Sequence, residues 1–599
     1  MSGIVLSVDS RTDGGKYHFD KALSSFCFGD LIVKSRYQKG KVNAALLSTH
    51  DSEGSSTYDK DLKLFVIVDG YFVENLGSPK SSAEWFLHNY KTRGQRFLTE
   101  LNGSYCILLI NERTDDIKVI NDRFGTRPLF YTVSRDVLAV SPFANLINEL
   151  GVVKKELNES MVANQLSYSR VWLNNATFFK GILSLSASSC LEWSNVGGGR
   201  AHKITPPVAA SGYYHGDVNE LAETFRTVVS DFSNLNSVGL SLSGGLDSRI
   251  LLAAGFKGPT FTWGYQENND EISLAKRTAQ ITRNDWSFIK LSPEDFLDRS
   301  CVGDRFREGL DIFVQSHSLK GYPETKKHGI NGLITGLALD FTMAGSYDID
   351  CNVGELDAEI MFQYLCSKSQ CFTSAEQALL INRDSIRSEV HDLTDIIRGE
   401  VNWETDARRT ESIRNFFFEY RVRRCIFQRQ QWQRAFVEDY IPTFDNRLID
   451  NLGSFSPSDL KDHSIFVKVL KLLSPELMGV PYQGTMLPVD APKRYWKDSI
   501  RIENEREQMY RDIYAETNGK VFIPYNRYYS NFDEWLRVNP HWIDYTKKML
   551  LSEETVISNY CDIGIVREWL EAQRSGKKAY FSKIIQLMSL EKTLRAHFV

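Results

Sequence analysis

Nine residues constrain this chain more than any others: Ser241-Leu242-Ser243-Gly244-Gly245-Leu246-Asp247-Ser248-Arg249. They follow a short apolar run, SVGLSLS, and open into RILLAAGF, so the pattern predicts strand, turn and helix. Such a turn aims free backbone N–H groups and the positive end of the helix dipole at one spot. Gly244 and Gly245 lack a Cβ, which lets the backbone turn sharply and approach an anion closely. Ser243 and Ser248 add hydroxyl donors. Asp247 would repel a bare phosphate, so its presence implies Mg²⁺ bridging carboxylate and phosphate oxygens. The spacing differs from the GxxxxGK[ST] phosphate loop. The alternative on spacing alone is a Gly-Gly turn capped by Ser and Asp.

The chain around this turn has 599 residues, enough for two large domains or about four of ordinary size. Before residue 205 it reads as short β-rich segments with tight polar breaks, among them DLKLFVIVDGYFV and GSYCILLIN. The stretch Asn195–Gly212, with three glycines and a Pro-Pro pair, reads as a linker. Beyond it strands at SVGLSLS, TFTWG and GLITG alternate with helical patterns, which implies a parallel α/β sheet. From about Ser374 the pattern stays helical. The expected division is 1–205, β-rich, and 206–599, α/β with a helical end.

Apolar residues make up 42% and charged residues 25%, which excludes wholesale disorder. A net charge of −5 gives no global basic field to recruit nucleic acid or an anionic membrane. No run approaches the ~18 apolar residues of a membrane helix, and MSGIVLSVDS lacks the form of a secretory signal. Nine cysteines without CxxC spacing point to reduced thiols and a cytoplasmic location.

SGGLDS after a strand resembles the pyrophosphate loop of the asparagine synthetase family, whose members split ATP between the α and β phosphates. The resemblance extends to Thr262-Trp263-Gly264 followed by Asp270-Glu271 and Ala275, and to Thr335-Gly336-Leu337-Ala338-Leu339-Asp340-Phe341 with Gly345, against SGxGxDExxxG. It reaches Glu438-Asp439-Tyr440-Ile441-Pro442-Thr443-Phe444-Asp445, against ExRxPFxD. It implies Asp247 and Asp340 as Mg²⁺ ligands. Leu242, Ser243, Gly244, Gly245, Ser248, Trp263, Thr335 and Gly336 would bind ATP. Asp340 also falls just past the carboxyl end of a predicted strand, where open α/β sheets take ligands; helix N-cap is its bland role.

The chain departs from the family pattern in places. Phe341 stands where asparagine synthetases usually keep Glu, which weighs against making asparagine. Leu337 stands where β-lactam synthetases place Tyr. Glu419, in Phe418-Glu419-Tyr420-Arg421, is the candidate catalytic base beside Asp340; a salt bridge to Arg421, Arg423 or Arg424 is its structural alternative. The segment Pro481–Thr485 stands about where the family carries a late lysine; Lys493 is the nearest substitute.

At the amino end the family's glutamine-using members read Met-Cys-Gly-Ile, and this chain reads Met1-Ser2-Gly3-Ile4. Ser needs an arranged base where Cys does not. Asp69-Gly70-Tyr71-Phe72-Val73-Glu74 and Ser81-Ser82-Ala83-Glu84 stand against the family's NGEIYN and SDxE, so the anchors for glutamine are changed. Leu101–Tyr105 and Asp122–Tyr131 keep the scaffold pattern. The resemblance therefore implies an N-terminal nucleophile hydrolase-like sandwich without glutaminase activity. It would precede an ATP- and Mg²⁺-dependent ligase that adenylates a carboxylate and passes it to an amine. A lasso peptide macrolactam synthetase, with a precursor peptide and a leader-processing protease as partners, is the leading expectation. An amide ligase for a sugar acid or small metabolite fits about equally, and a non-catalytic nucleotide-binding scaffold is the rival from another class.

Overall fold

The computed structural model describes residues 2–11, 15–205, 214–297, 302–343, 355–389 and 393–599. Gly345 and residues 206–212 of the expected linker lie outside them.

The first 203 residues build two six-stranded sheets in which every neighbouring pair is antiparallel. One sheet centres on Gly3–Asp9 and Val42–Ser48, the other on Leu64–Phe72 and Gly103–Asn111. Strand periodicity of two sorts their side chains. Ile4, Leu6 and Val8 pack between the sheets with Ile67, Leu108 and Ile110. Val5 and Leu47 face outward, under the helix Gly15–Phe26. The helix Ser82–Arg93 covers the other outer face, with Phe86 on Val66, Val68 and Ile107. The result is a four-layer helix–sheet–sheet–helix sandwich.

The glycine run read as a linker is instead a strand. Gly198–Lys203 pairs with Ser189–Ser194 as the edge of the second sheet. A Cβ on Gly199 would lie 2.0 Å from Val133 Cγ2, so the glycine serves a close cross-strand approach rather than flexibility.

A five-stranded parallel sheet follows, ordered Trp286–Lys290, Thr260–Gly264, Val238–Ser241, Gly332–Ile334, Glu438–Tyr440. The amphipathic helix Val218–Ser233 packs Leu221, Phe225 and Phe232 into the same core as Leu240 and Ile250. Helices dominate from Ala358, earlier than expected, and Glu438–Tyr440 is the last described strand of this sheet. The final helix, Phe581–Phe598, is buried on nearly all sides.

Seven described cysteines are free thiols. Among the described residues no helix is long and apolar enough to cross a membrane.

Candidate active site

The strand Val238–Ser241 ends at the turn, and Asp247–Ala253 is the helix that follows. Leu242 stays in register with the sheet: its N–H donates to Phe261 O at 2.8 Å, and its carbonyl accepts from Thr262 Oγ1. Ser248 Oγ accepts from the Ser243 N–H at 3.0 Å, and Ser243 Oγ from the Gly245 N–H at 3.2 Å. The serine hydroxyls thus shape the turn. A Cβ on Gly244 would lie 2.8 Å from Glu271 O, so glycine is required there by packing.

The loop after Gly332–Ile334 lies directly on this turn. A Cβ on Gly336 would meet the Asp247 carbonyl at 2.6 Å and the Ser248 nitrogen at 2.7 Å. Thr335 N–H donates to Tyr440 O, while its buried Oγ1 finds no hydrogen-bond partner. Asp340, in the first turn of Leu339–Met343, donates its N–H to the Asp247 carboxylate. Burial, then the charge of Asp340, push the Asp247 carboxyl well above the usual aspartate range. Asp247, raised by the neighbouring Asp340 charge, and Asp340 itself are hard-oxygen donors of the kind suited to Mg²⁺. The buried Thr335 hydroxyl has no hydrogen-bond partner among the described residues, which leaves it available to a ligand oxygen.

Trp263 turns its side chain away. Its Nε1 donates to Thr325 Oγ1 at 3.0 Å and its ring packs on Gly321 and Tyr322. Only its backbone is left for a nucleotide. Glu419 lies on a nine-residue π-helix, Phe418–Ile426, whose Phe418 packs on Phe341. Its carboxylate pairs with Arg423 and Lys203 and accepts from the Ala187 N–H. It also lines a 510 Å³ cleft with Glu400, Arg408 and Glu411.

Lys493 begins the helix Lys493–Glu516, with its Nζ buried, unpartnered and 3.1 Å from the Trp496 ring centroid. Burial lowers its pKa to about 8. The sequence reading missed Arg249, which follows the turn and is fully buried. It donates to the carbonyls of Val480 and Pro481, both at 2.7 Å, and fastens that segment to the turn. Arg directly after SGGLDS was the available signal.

The N-terminal half meets this site through Arg127, buried between the two halves. Its guanidinium donates to Ser2 Oγ and Asp69 at 3.1 Å each, to Ser104, and to Glu438. It lies against Gly70 (φ +102°), where a Cβ would be 2.4 Å from Arg127 Nε. The changed anchors have structural partners. Tyr71 Oη accepts from the Ile441 N–H, and Ser81 with Glu84 forms a capping box for Ser82–Arg93. Asp445 caps Asn446–Leu452, pairs with Arg447 and accepts from Asn102.

Two sequence families match along the chain: a glutamine amidotransferase domain over residues 75–202 and asparagine synthase over residues 221–318. Neither match spans half of the chain, so each is a likeness of its own segment. The asparagine synthase match takes in the turn and Trp263 and stops short of Thr335, Asp340 and Glu419. The amidotransferase match begins after Ser2 and Asp69. A curated relative is asparagine synthetase [glutamine-hydrolyzing] 2 of Bacillus subtilis (strain 168), 28% identical over 193 residues. The alignment covers 28% of this chain and 24% of that protein. Among solved structures, the glutamine phosphoribosylpyrophosphate amidotransferase of B. subtilis aligns at 14% identity with TM-score 0.23, over 48% of this chain and 65% of that one. An allosteric regulatory enzyme of purine biosynthesis aligns at 13% identity with TM-score 0.24, over the same shares. Both scores are too low to weigh.

Proposed function

We propose that this chain is an ATP- and Mg²⁺-dependent amide ligase. It activates a carboxylate as an acyl-adenylate with release of pyrophosphate, and an amine then displaces AMP. The observation that carries the reading is the facing pair Asp247 and Asp340 at the turn of a parallel sheet, beside the orphaned Thr335 hydroxyl. Mg²⁺, held by Asp247 and Asp340, would neutralise charge on the pyrophosphate. Leu242, Ser243, Gly244, Gly245, Ser248, Thr335, Gly336 and the Trp263 backbone would hold the nucleotide. Lys493 would supply a further positive charge. Glu419 is assigned the acceptor amine's proton; its ties to Arg423 and Lys203 support the competing structural role, and the two differ in which step fails.

The proposed division runs 1–205 and 206–599, with the first part silent as a glutaminase. Arg127 on Ser2 and against Gly70 supports that silence. For the substrates we propose a precursor peptide closed as a lasso macrolactam. A sugar acid or small metabolite is the second substrate class. A neighbouring precursor gene and protease gene would mark the first, glycosyltransferase genes the second. The test of the reaction is product identity: with the right carboxylate, pyrophosphate and AMP appear, and phosphate with ADP would overturn it.

A further inference from the structure

The strand Ser189–Ser194 lies between Asp116–Asn121 and the edge strand Gly198–Lys203. Its register sets Cys190 directly opposite His202 on the edge strand. Glu192 stands opposite Arg200 there and opposite Lys118 on the inner side. Side chains two apart on a strand share a face, so Cys190, Glu192 and His202 project together. That face is the outer one of its sheet, where Cys190 joins the cluster of Phe86 and Ile120.

The Cys190 Sγ, a Glu192 carboxylate oxygen and a His202 ring nitrogen all lie within 4.8 Å of one another. Among the described residues no other three Cys, His, Asp or Glu side chains meet in this way. Four-coordinate zinc takes thiolate at about 2.3 Å and imidazole or carboxylate at about 2.0–2.2 Å. Closing the three atoms on one ion therefore needs movements of roughly an ångström. Cys190 is buried and fixed, whereas the imidazole is exposed and the carboxylate half-buried, so the two that must travel can.

Glu192 is already oriented. Lys118 Nζ pairs with its Oε1 at 2.8 Å and Arg200 donates to its Oε2 at 3.3 Å. Each oxygen keeps a second lone pair, and hydrogen bonds of this kind orient a ligating carboxylate. A 420 Å³ cleft lined by Lys118, Glu192 and Arg200 admits solvent to it. Salt bridges account for Glu192, but not for a thiol and an imidazole brought to the same carboxylate.

We propose that Cys190, Glu192 and His202 form a site for one zinc ion, distinct from the Asp247–Asp340 pair, with a fourth position for water. The thiol binds as thiolate, its proton passing to solvent. One sulfur, one nitrogen and one oxygen suit zinc; magnesium demands oxygen. The ion clips the edge strand to its neighbour. Lys203, the next residue, pairs with Glu419 of the other half at 3.5 Å, so the clip holds the strand that carries that contact.

Cobalt(II), a spectroscopic stand-in for zinc, titrated into the full chain tests the site, with Mg²⁺ in excess to occupy the carboxylate pair. The wild type should develop a sulfur-to-cobalt charge-transfer band and the intense visible bands of four-coordination. Both should saturate at one ion per chain and be bleached by Zn²⁺. Cys190→Ala keeps a small apolar side chain in the cluster and should abolish the charge-transfer band. His202→Ala, at an exposed position, should fold as wild type. It should weaken Zn²⁺, measured against a competing chelator, by at least the roughly tenfold to hundredfold that loss of a supporting hydrogen bond costs a metal site. Glu192→Gln should weaken it in the same direction. Zn²⁺ should raise the melting temperature of the wild type and not that of Cys190→Ala. A wild type without the charge-transfer band overturns the site, and so does a band that survives Cys190→Ala. Wild-type Zn²⁺ affinity in His202→Ala or in Glu192→Gln overturns the three-ligand set.

Discussion

Arg127 donates from the antiparallel sandwich to the carboxylate of Glu438, 311 residues later, on the last strand of the parallel sheet. Both side chains are almost fully buried. Burial alone would push Glu438 upward, but the charge and hydrogen bond of Arg127, with Arg434 behind it, hold the carboxyl below the usual glutamate range. A depressed carboxylate adds stability above its unfolded value and loses it as pH falls through the folded one. Arg127→Met leaves Asp69 and Glu438 buried without their cation and should cost about 3–5 kcal/mol. Denaturant unfolding at pH 7 checks this. The difference from wild type should narrow as pH falls, because Glu438 of the variant, raised by burial and relieved of Arg127, takes up its proton at higher pH than that of the wild type.

Asp247 carries the opposite sign. Its carboxyl is raised by burial and by Asp340, so without metal it costs stability as pH rises from its unfolded value to its folded one and no further above that. Asp247→Asn and Asp340→Asn should therefore melt higher than the metal-free wild type, with a gain that grows with pH. Both should lose stabilisation by Mg·pyrophosphate, and turnover should drop roughly a thousandfold or more. Melting curves with and without the ligand read the first effects and pyrophosphate release the last. Wild-type turnover in either variant would remove the pair from the metal site.

Ser2→Cys should not produce a glutaminase. The Arg127 guanidinium touches the Ser2 hydroxyl and presses on Gly70, and Tyr71 is committed to the Ile441 N–H. Ammonia release from glutamine, with and without ATP, measures it. Release at a rate matching synthesis would show an open pocket.

Glu419→Gln separates two roles. As proton acceptor, the carboxylate is needed only in the second step, so ATP–pyrophosphate exchange should stay near normal while amide formation collapses. Loss of its pairing with Arg423 and Lys203 would instead lower stability and both steps together. That second pattern would leave the proton acceptor unassigned.

Lys493→Met should stabilise the fold while slowing the reaction. The ammonium lies over the Trp496 ring without a hydrogen-bond partner, and its pKa is lowered to about 8. A lysine depressed in the folded state opposes folding below that value and ceases to as pH rises toward its unfolded one. The gain in melting temperature should be largest near pH 7 and shrink above pH 8. Undiminished turnover in the variant would release Lys493 from the site.

The turn at Ser243–Ser248 was legible in sequence because everything that shapes it is local: an apolar strand, two glycines and two serines within six positions. The β-rich character of the first part was legible in short apolar runs such as DLKLFVIVDGYFV between tight polar breaks. What escaped was non-local. Gly199 looked like a flexible joint because Val133, which demands the missing Cβ, lies 66 residues earlier in the chain. Arg249 looked like an ordinary helix residue because its acceptors are the carbonyls of Val480 and Pro481. The segment Glu438–Asp445 entered only as part of the family resemblance, and much of its bonding reaches back to Arg127, Tyr71 and Asn102.

Those attachments tie the edge of the parallel sheet to the sandwich independently of any chemistry the sandwich carries. A chain cut near residue 205 would expose Glu438 without Arg127, Ile441 without the Tyr71 phenol, and Asp445 without Asn102. Each is a buried polar group stripped of its partner, at the edge of the sheet that carries Asp340. The sandwich thus completes the hydrogen bonding of the edge strand beside it.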